Sequence, residues 1–179
     1  MYSMKKDDFF QTLQRFVAVE SIGISAMRGQ ITGTMHAAQN YCAALDLSKY
    51  SNLTESEFKS KLNEDTEGML DAFGFERFRP WGTARKALSL FFRSALYNKY
   101  LCEKYNLTSI EPYLEIPLDS AVAKGLIKRD TNRFLTKWYG LSYLMKEDSE
   151  KYQLIALGEA KKEEINRVHL DIFLWLENR

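Results

Sequence analysis

The sequence predicts an all-α fold, a helical bundle formed by one domain over residues 1–179. Apolar residues recur at helical spacings of three and four along most of the chain. No stretch has the pattern of a parallel strand, and there is no internal repeat or low-complexity tract. A hydrophobic fraction of 45% and an aromatic fraction of 13% supply a real core, so disorder is excluded.

The first helix is expected over Lys5 to Val19, with Phe9, Phe10, Leu13, Phe16 and Val17 on one face. Gly23 breaks it. A second helix is expected from Ser25 through Met27, Ile31, Ala38 and Cys42, weakened by Gly29 and Gly33 and using them for close packing. Thr54 and Glu57 form a capping-box pattern ahead of a third helix, with Phe58 and Leu62 facing inward. A short fourth helix over Met69, Leu70 and Phe73 ends at Gly74. An aromatic and basic connector then runs from Phe75 to Gly82, closed by Pro80 and Gly82.

The strongest helical stripe is Ala84, Ala87, Leu88, Phe91, Ala95 and Leu96, with Lys86, Ser89 and Arg93 together on another face. Pro112 and Pro117 mark Ile110 to Leu118 as extended. Asp119 caps the next helix, and Asp130 is placed to cap another through Phe134, Leu135 and Trp138. The charged run Lys146 to Lys151 reads as a surface loop. The last helix carries Ile165, Val168, Ile172, Trp175 and Leu176 on its buried face, which makes Asp171 structural.

Composition narrows the chemistry. Two cysteines, Cys42 and Cys102, lie far apart without a CxxC spacing, and the two histidines, His36 and His169, form no ligand pair. No disulfide scaffold, zinc site or iron–sulfur cluster is expected, and no metal or cofactor. No signal peptide and no bilayer-length apolar run is visible, which makes the cytoplasm the expected compartment and a membrane no partner. A net charge of +1 neither requires nor excludes nucleic acid.

Two motifs carry the functional expectation. In Gly82-Thr83-Ala84-Arg85-Lys86, a tight turn is expected to open onto a helix. Unpaired backbone N–H groups and the positive end of the helix dipole can hold a phosphate oxygen there, with Arg85 and Lys86 adding charge. In Ile116-Pro117-Leu118-Asp119-Ser120-Ala121-Val122-Ala123, a carboxylate stands at a helix start after a proline-stiffened segment, beside amides that favour negative charge. Alone, Asp119 reads as a cap and Lys86 as a solvated helix lysine. Together they read as a site.

The pair resembles the helix-hairpin-helix DNA glycosylase superfamily, which includes endonuclease III. Gly82 to Lys86 is similar to the end of that family's L-P-G-V-G-R-K hairpin, with Ala84 replacing the second glycine. Leu118 to Lys124 is similar to its V-D-T-H-x-x-R. Lys86 to Arg93 and Asp171 to Trp175 also resemble K-R-L-N-L-F-L-R and D-F-A-L-W in uncharacterised relatives. Pro80 stands one place early, with Trp81 inserted before Gly82, and the cysteine cluster of endonuclease III is absent.

The resemblance implies a helix-hairpin-helix motif within 79–124, in a bundle with room for two small lobes and a cleft. It implies excision of a damaged or modified base from double-stranded DNA by a monomer, with AP lyase activity if a Schiff base forms. Lys86 matches the lysine nucleophile and Asp119 the catalytic aspartate. The nucleophile must be neutral, and Arg85 is the expected neighbouring cation that lowers its pKa. Gly82, Thr83, Ala84 and Arg85 would contact DNA, and Phe75, Phe78 and Trp81 would line the base pocket or wedge the duplex. The alternatives are a non-catalytic DNA-binding module and a helical protein-interaction factor.

Overall fold

The computed structural model describes residues 6–135 and 137–177, and it is all-helical. Eight α-helices follow one another among these residues: α1 (Lys6–Ser21), α2 (Thr34–Ala44), α3 (Glu55–Phe73), α4 (Trp81–Tyr97), α5 (Lys99–Tyr105), α6 (Ser120–Arg129), α7 (Lys146–Lys162) and α8 (Leu170–Glu177). Short 3₁₀ segments cover Leu47–Tyr50, Leu107–Tyr113, Leu141–Tyr143 and Arg167–His169. The expected start at Lys5 lies outside the described residues. No described helix is long and apolar enough to cross a membrane.

Helix α4 is the axis of the bundle. Its predicted stripe is buried, and so is most of its other face, from Trp81 to Phe92. Helices α1, α2 and α3 pack around it, and their side chains join those of α4 in the larger hydrophobic cluster. Tyr50, Phe58 and Phe92 meet there in edge-on and tilted ring contacts. A second cluster joins α6, α7 and α8 through residues such as Leu118, Leu126, Tyr152 and Leu174.

Local chemistry sets the ends of several elements. Thr54 and Glu57 complete a reciprocal capping box at α3. Gly74 ends that helix in the left-handed conformation, φ 70°. Gln14, buried on α1, donates to the carbonyls of Cys42, Ala43 and Leu45 and so satisfies the end of α2.

Several expectations need correction. The second helix does not start at Ser25: Gly29 and Gly33 adopt φ of 77° and 94°, which β-carbon-bearing residues rarely do, so the chain turns until Thr34. Met69 to Phe73 belong to α3, because nothing before Gly74 breaks that helix. The segment expected to be extended begins inside a 3₁₀ helix, Leu107–Tyr113, and only residues 114–118 are left extended. Asp130 opens no new helix: it is the C-cap of α6, and its carboxylate accepts from the Leu135 amide and closes a turn. The charged run from Lys146 is the first part of α7, whose acidic residues suit a helix N-terminus. In α8 the buried residues are Leu170, Asp171 and Leu174, while Ile172, Trp175 and Leu176 are largely exposed.

Candidate active site

Lys86 sits one turn into α4 and is 8% exposed. Its amine donates to the carbonyl of Ala26 at 2.7 Å. That carbonyl belongs to the glycine-shaped segment between α1 and α2. The segment is itself pinned: Gln39 donates to the Ile22 carbonyl at 2.9 Å, and Met27 is buried in the core. Burial lowers the Lys86 pKa, the nearby Asp119 carboxylate raises it, and Arg93 lowers it again, for a net downward shift.

Asp119 is the cap of α6. Its Oδ1 accepts from the amides of Ala121 and Val122, both at 2.9 Å. The extended segment before it is fixed at several points. The Gln153 side chain pairs with both backbone groups of Ile116, at 3.0 and 2.9 Å. Arg167 donates to the carbonyls of Leu114 and Tyr113, at 3.0 and 2.7 Å. A carboxylate held this way has little freedom left, which suits an electrostatic role.

Two cavities meet at these residues. One, of about 380 Å³, is lined by Ala26, Arg28, Gln30, Lys86, Asp119 and Ser142 among others. The other, of about 490 Å³, extends toward α8 past Lys86, Arg93, Tyr97, Asp119, Asp171 and Trp175. Ser25, Ala26, Lys86 and Asp119 line both. An amine with lowered pKa and a fixed carboxylate thus border both cavities of this cleft.

The rest of the first motif is placed differently from expectation. Gly82 lies in the first turn of α4, not in a tight turn before it. A β-carbon there would stand 2.4 Å from the Leu141 carbonyl oxygen and 2.7 Å from the Leu144 side chain. Its missing side chain therefore admits the 141–144 segment, not a phosphate. The Thr83 and Ala84 amides donate to the Pro80 carbonyl, and both residues are buried. The Thr83 hydroxyl donates to the Gln30 side chain, which also accepts from Ser142.

Arg85 is 4% exposed and engaged in a two-pronged pair with Glu115, at 2.8 and 2.9 Å. It also donates to Thr66 at 2.9 Å and stacks over the Trp81 ring. The cation that acts on Lys86 is therefore Arg93, not Arg85.

The three candidate aromatic residues line neither cavity. Trp81 is buried in the core, Phe75 packs on Phe73, and Phe78 lies exposed in the connector. The aromatic side chains at the cleft are Tyr143, Tyr97 and Trp175. Asp171, expected to be structural, is buried at the cleft beside Arg93. One signal could have found it: Arg93 shares a helix face with Lys86, and a part-buried arginine is best satisfied by a carboxylate partner. Among the described residues no cluster of three or more metal-ligating side chains is present.

No family model matches this chain, and no curated protein or solved structure does either.

Proposed function

We propose that the chain is a DNA glycosylase, excising a modified base with Lys86 as covalent nucleophile and Asp119 as its electrostatic partner. The carrying observation is that Lys86 and Asp119, from separate helices, line the same two cavities.

The chemistry suits the placement. The fraction of neutral amine at a given pH is larger for Lys86 than for a solvated lysine, because burial shifts it downward. Its nitrogen bonds to the sugar C1′ as the C1′–base bond breaks, and the bonding pair leaves with the base. Asp119 takes a proton from the new ammonium and passes it to the departing base. Positive charge that builds on the sugar during this step is stabilised by the same carboxylate. The C1′–O4′ bond then breaks, the nitrogen lone pair forms the C=N bond, and the remaining N–H proton passes to O4′, which gives a neutral Schiff base.

Reaching the cleft requires the target nucleotide to leave the stack. Arg85 is unavailable for phosphate. Arg28, exposed on the 22–33 segment and lining the smaller cavity, takes that role in this reading. The test is incubation of the full chain with duplexes carrying single oxidised, alkylated or deaminated bases. Base release by the wild-type chain, and its loss in Lys86→Gln and Asp119→Asn, supports the reading. Salt-sensitive binding of every duplex without release of any base would instead make the chain a binding module.

A further inference from the structure

One wall of the smaller cavity belongs to the 137–143 stretch, which takes no part in the chemistry of Lys86 and Asp119. The stretch is well anchored. Leu141 and Leu144 are buried in the second hydrophobic cluster. The Trp138 indole donates to the Ser120 hydroxyl at 3.2 Å, and the Ser142 hydroxyl donates to Gln30 at 3.1 Å. Yet Tyr143, between Ser142 and Leu144, lines the cavity and is 70% exposed. A large ring held in water on an anchored segment loses little freedom when another ring stacks on it.

This wall continues into a basic surface. Ser120, which also lines the cavity, is followed on the exposed face of α6 by Lys124 and Lys128 at four-residue steps. Beyond the helix stand Arg133 and Lys137, both exposed. Between residues 120 and 143 the only acidic residue is Asp130, and it is buried, although the whole chain has a net charge of just +1. Lys124, Arg133 and Lys137 form no ion pair among the described residues. Arg28 stands exposed on the 22–33 segment, another wall of the same cavity. Cations without carboxylate partners, set among exposed rings, match a nucleic-acid backbone and its bases.

Two tyrosines stand on this surface, and their surroundings differ. Tyr139 is 72% exposed but does not line the cavity, and the Lys137 ammonium stands over its ring at 5.7 Å. Tyr143 is the ring beside the cleft. A nucleotide that leaves the stack to reach Lys86 and Asp119 leaves behind it a gap one base thick, which an inserted side chain can fill. We propose that double-stranded DNA lies across the exposed face of α6 and the 137–143 stretch, with phosphates on Lys124 and Lys137 and the Tyr143 ring in the gap. The gap-filling part rests on the base-excision reading. Tyr143 touches no reacting atom there and is a positioning residue.

The test is a fluorescence titration of the full chain with a duplex carrying 2-aminopurine next to a tetrahydrofuran abasic analogue. The analogue offers no base to release, so binding is read apart from chemistry. Wild type and Tyr143→Phe should quench the 2-aminopurine as the ring stacks on it. Tyr143→Ala should lose the quenching and about tenfold in affinity, the order of effect for one stacked base, with the salt slope unchanged. Lys124→Ala and Lys137→Ala should each lower the slope of log affinity against log salt by about 1 and leave the quenching in place. Full quenching by Tyr143→Ala, or quenching lost in Tyr139→Ala instead, overturns the role of Tyr143. Salt slopes unchanged in both lysine variants overturn the interface, and tighter binding of duplex RNA overturns the choice of partner.

Base release from duplexes with oxidised, alkylated or deaminated bases separates this proposal from the reading beneath it. Release that is unaffected by Tyr143→Ala and Lys124→Ala overturns the interface and leaves base excision standing. Quenching that depends on Tyr143, with no release of any base, supports the interface and removes the enzyme.

Discussion

The Lys86 amine donates to the Ala26 carbonyl, and this bond ties the central helix to a segment shaped by two left-handed glycines. The lysine is thereby held at the cleft wall and not left to wave in solvent. Lys86→Gln keeps a donor in that place and removes the nucleophile. Asp119→Asn keeps a good helix cap and removes the charge. Both variants should melt within a few degrees of wild type. Base release should fall by about 10²–10³-fold in each, the usual loss for a transition-state charge contact. Unfolded variants, seen by circular dichroism, would show instead that both residues act in stability.

Gly82→Ala tests the reassignment of the first motif. The added methyl group would meet a backbone carbonyl at 2.4 Å, which cannot swing aside like a side chain. The expected cost is about 1–3 kcal/mol of stability, the range for overpacking. Thermal unfolding should show it, and the salt dependence of DNA binding should be unchanged in slope. A normal melting temperature with weakened DNA binding would return Gly82 to the phosphate-binding role.

Arg85 and Arg28 should behave oppositely. Arg85→Met leaves Glu115 buried without its two-pronged partner, so stability should fall by about 3–5 kcal/mol. Replacing both with apolar residues should recover much of that loss. Arg28→Ala should leave stability within about 0.5 kcal/mol, as for most exposed substitutions. It should reduce the slope of log affinity against log salt by about 1. Urea unfolding and DNA titrations at several salt concentrations measure both.

Asp171 should leave a signature in the pH dependence of stability. Burial raises its carboxyl from 3.8 to about 6; Arg93 pulls it down, and the neighbouring Asp119 adds to the rise. Between those two values the folded chain holds a proton that the unfolded chain has released, so stability falls as pH rises across that window. The contribution is full below 3.8 and gone above about 6. Asp171→Asn should flatten this slope in urea titrations; an unchanged slope would place the carboxyl in water.

The helical character of the chain was legible because α4 and α3 carry strong local signals. The α4 stripe is apolar on the predicted face, and Thr54 and Glu57 form the predicted cap. Asp119 was legible for the same reason, since a cap is a local feature. What sequence periodicity misses is partnership across the fold. Arg85 looks like a surface cation until Glu115 is brought beside it from thirty residues away. Gly29 and Gly33 look like weak helix residues until their left-handed φ values show a turn. Asp171 looks structural until Arg93 and an open cavity are seen next to it. Lys86 stands out by its motif, but only the folded chain supplies its burial and its bond to Ala26.

The central claim is that the Lys86 nitrogen attacks a sugar carbon in a cleft shared with Asp119. Borohydride trapping on a duplex with a single abasic site, with peptide mapping of the product, tests it most directly. The expected result is one covalent adduct on Lys86, absent from Lys86→Gln and much reduced in Asp119→Asn. No adduct at all, or an adduct mapped to another lysine, would contradict it.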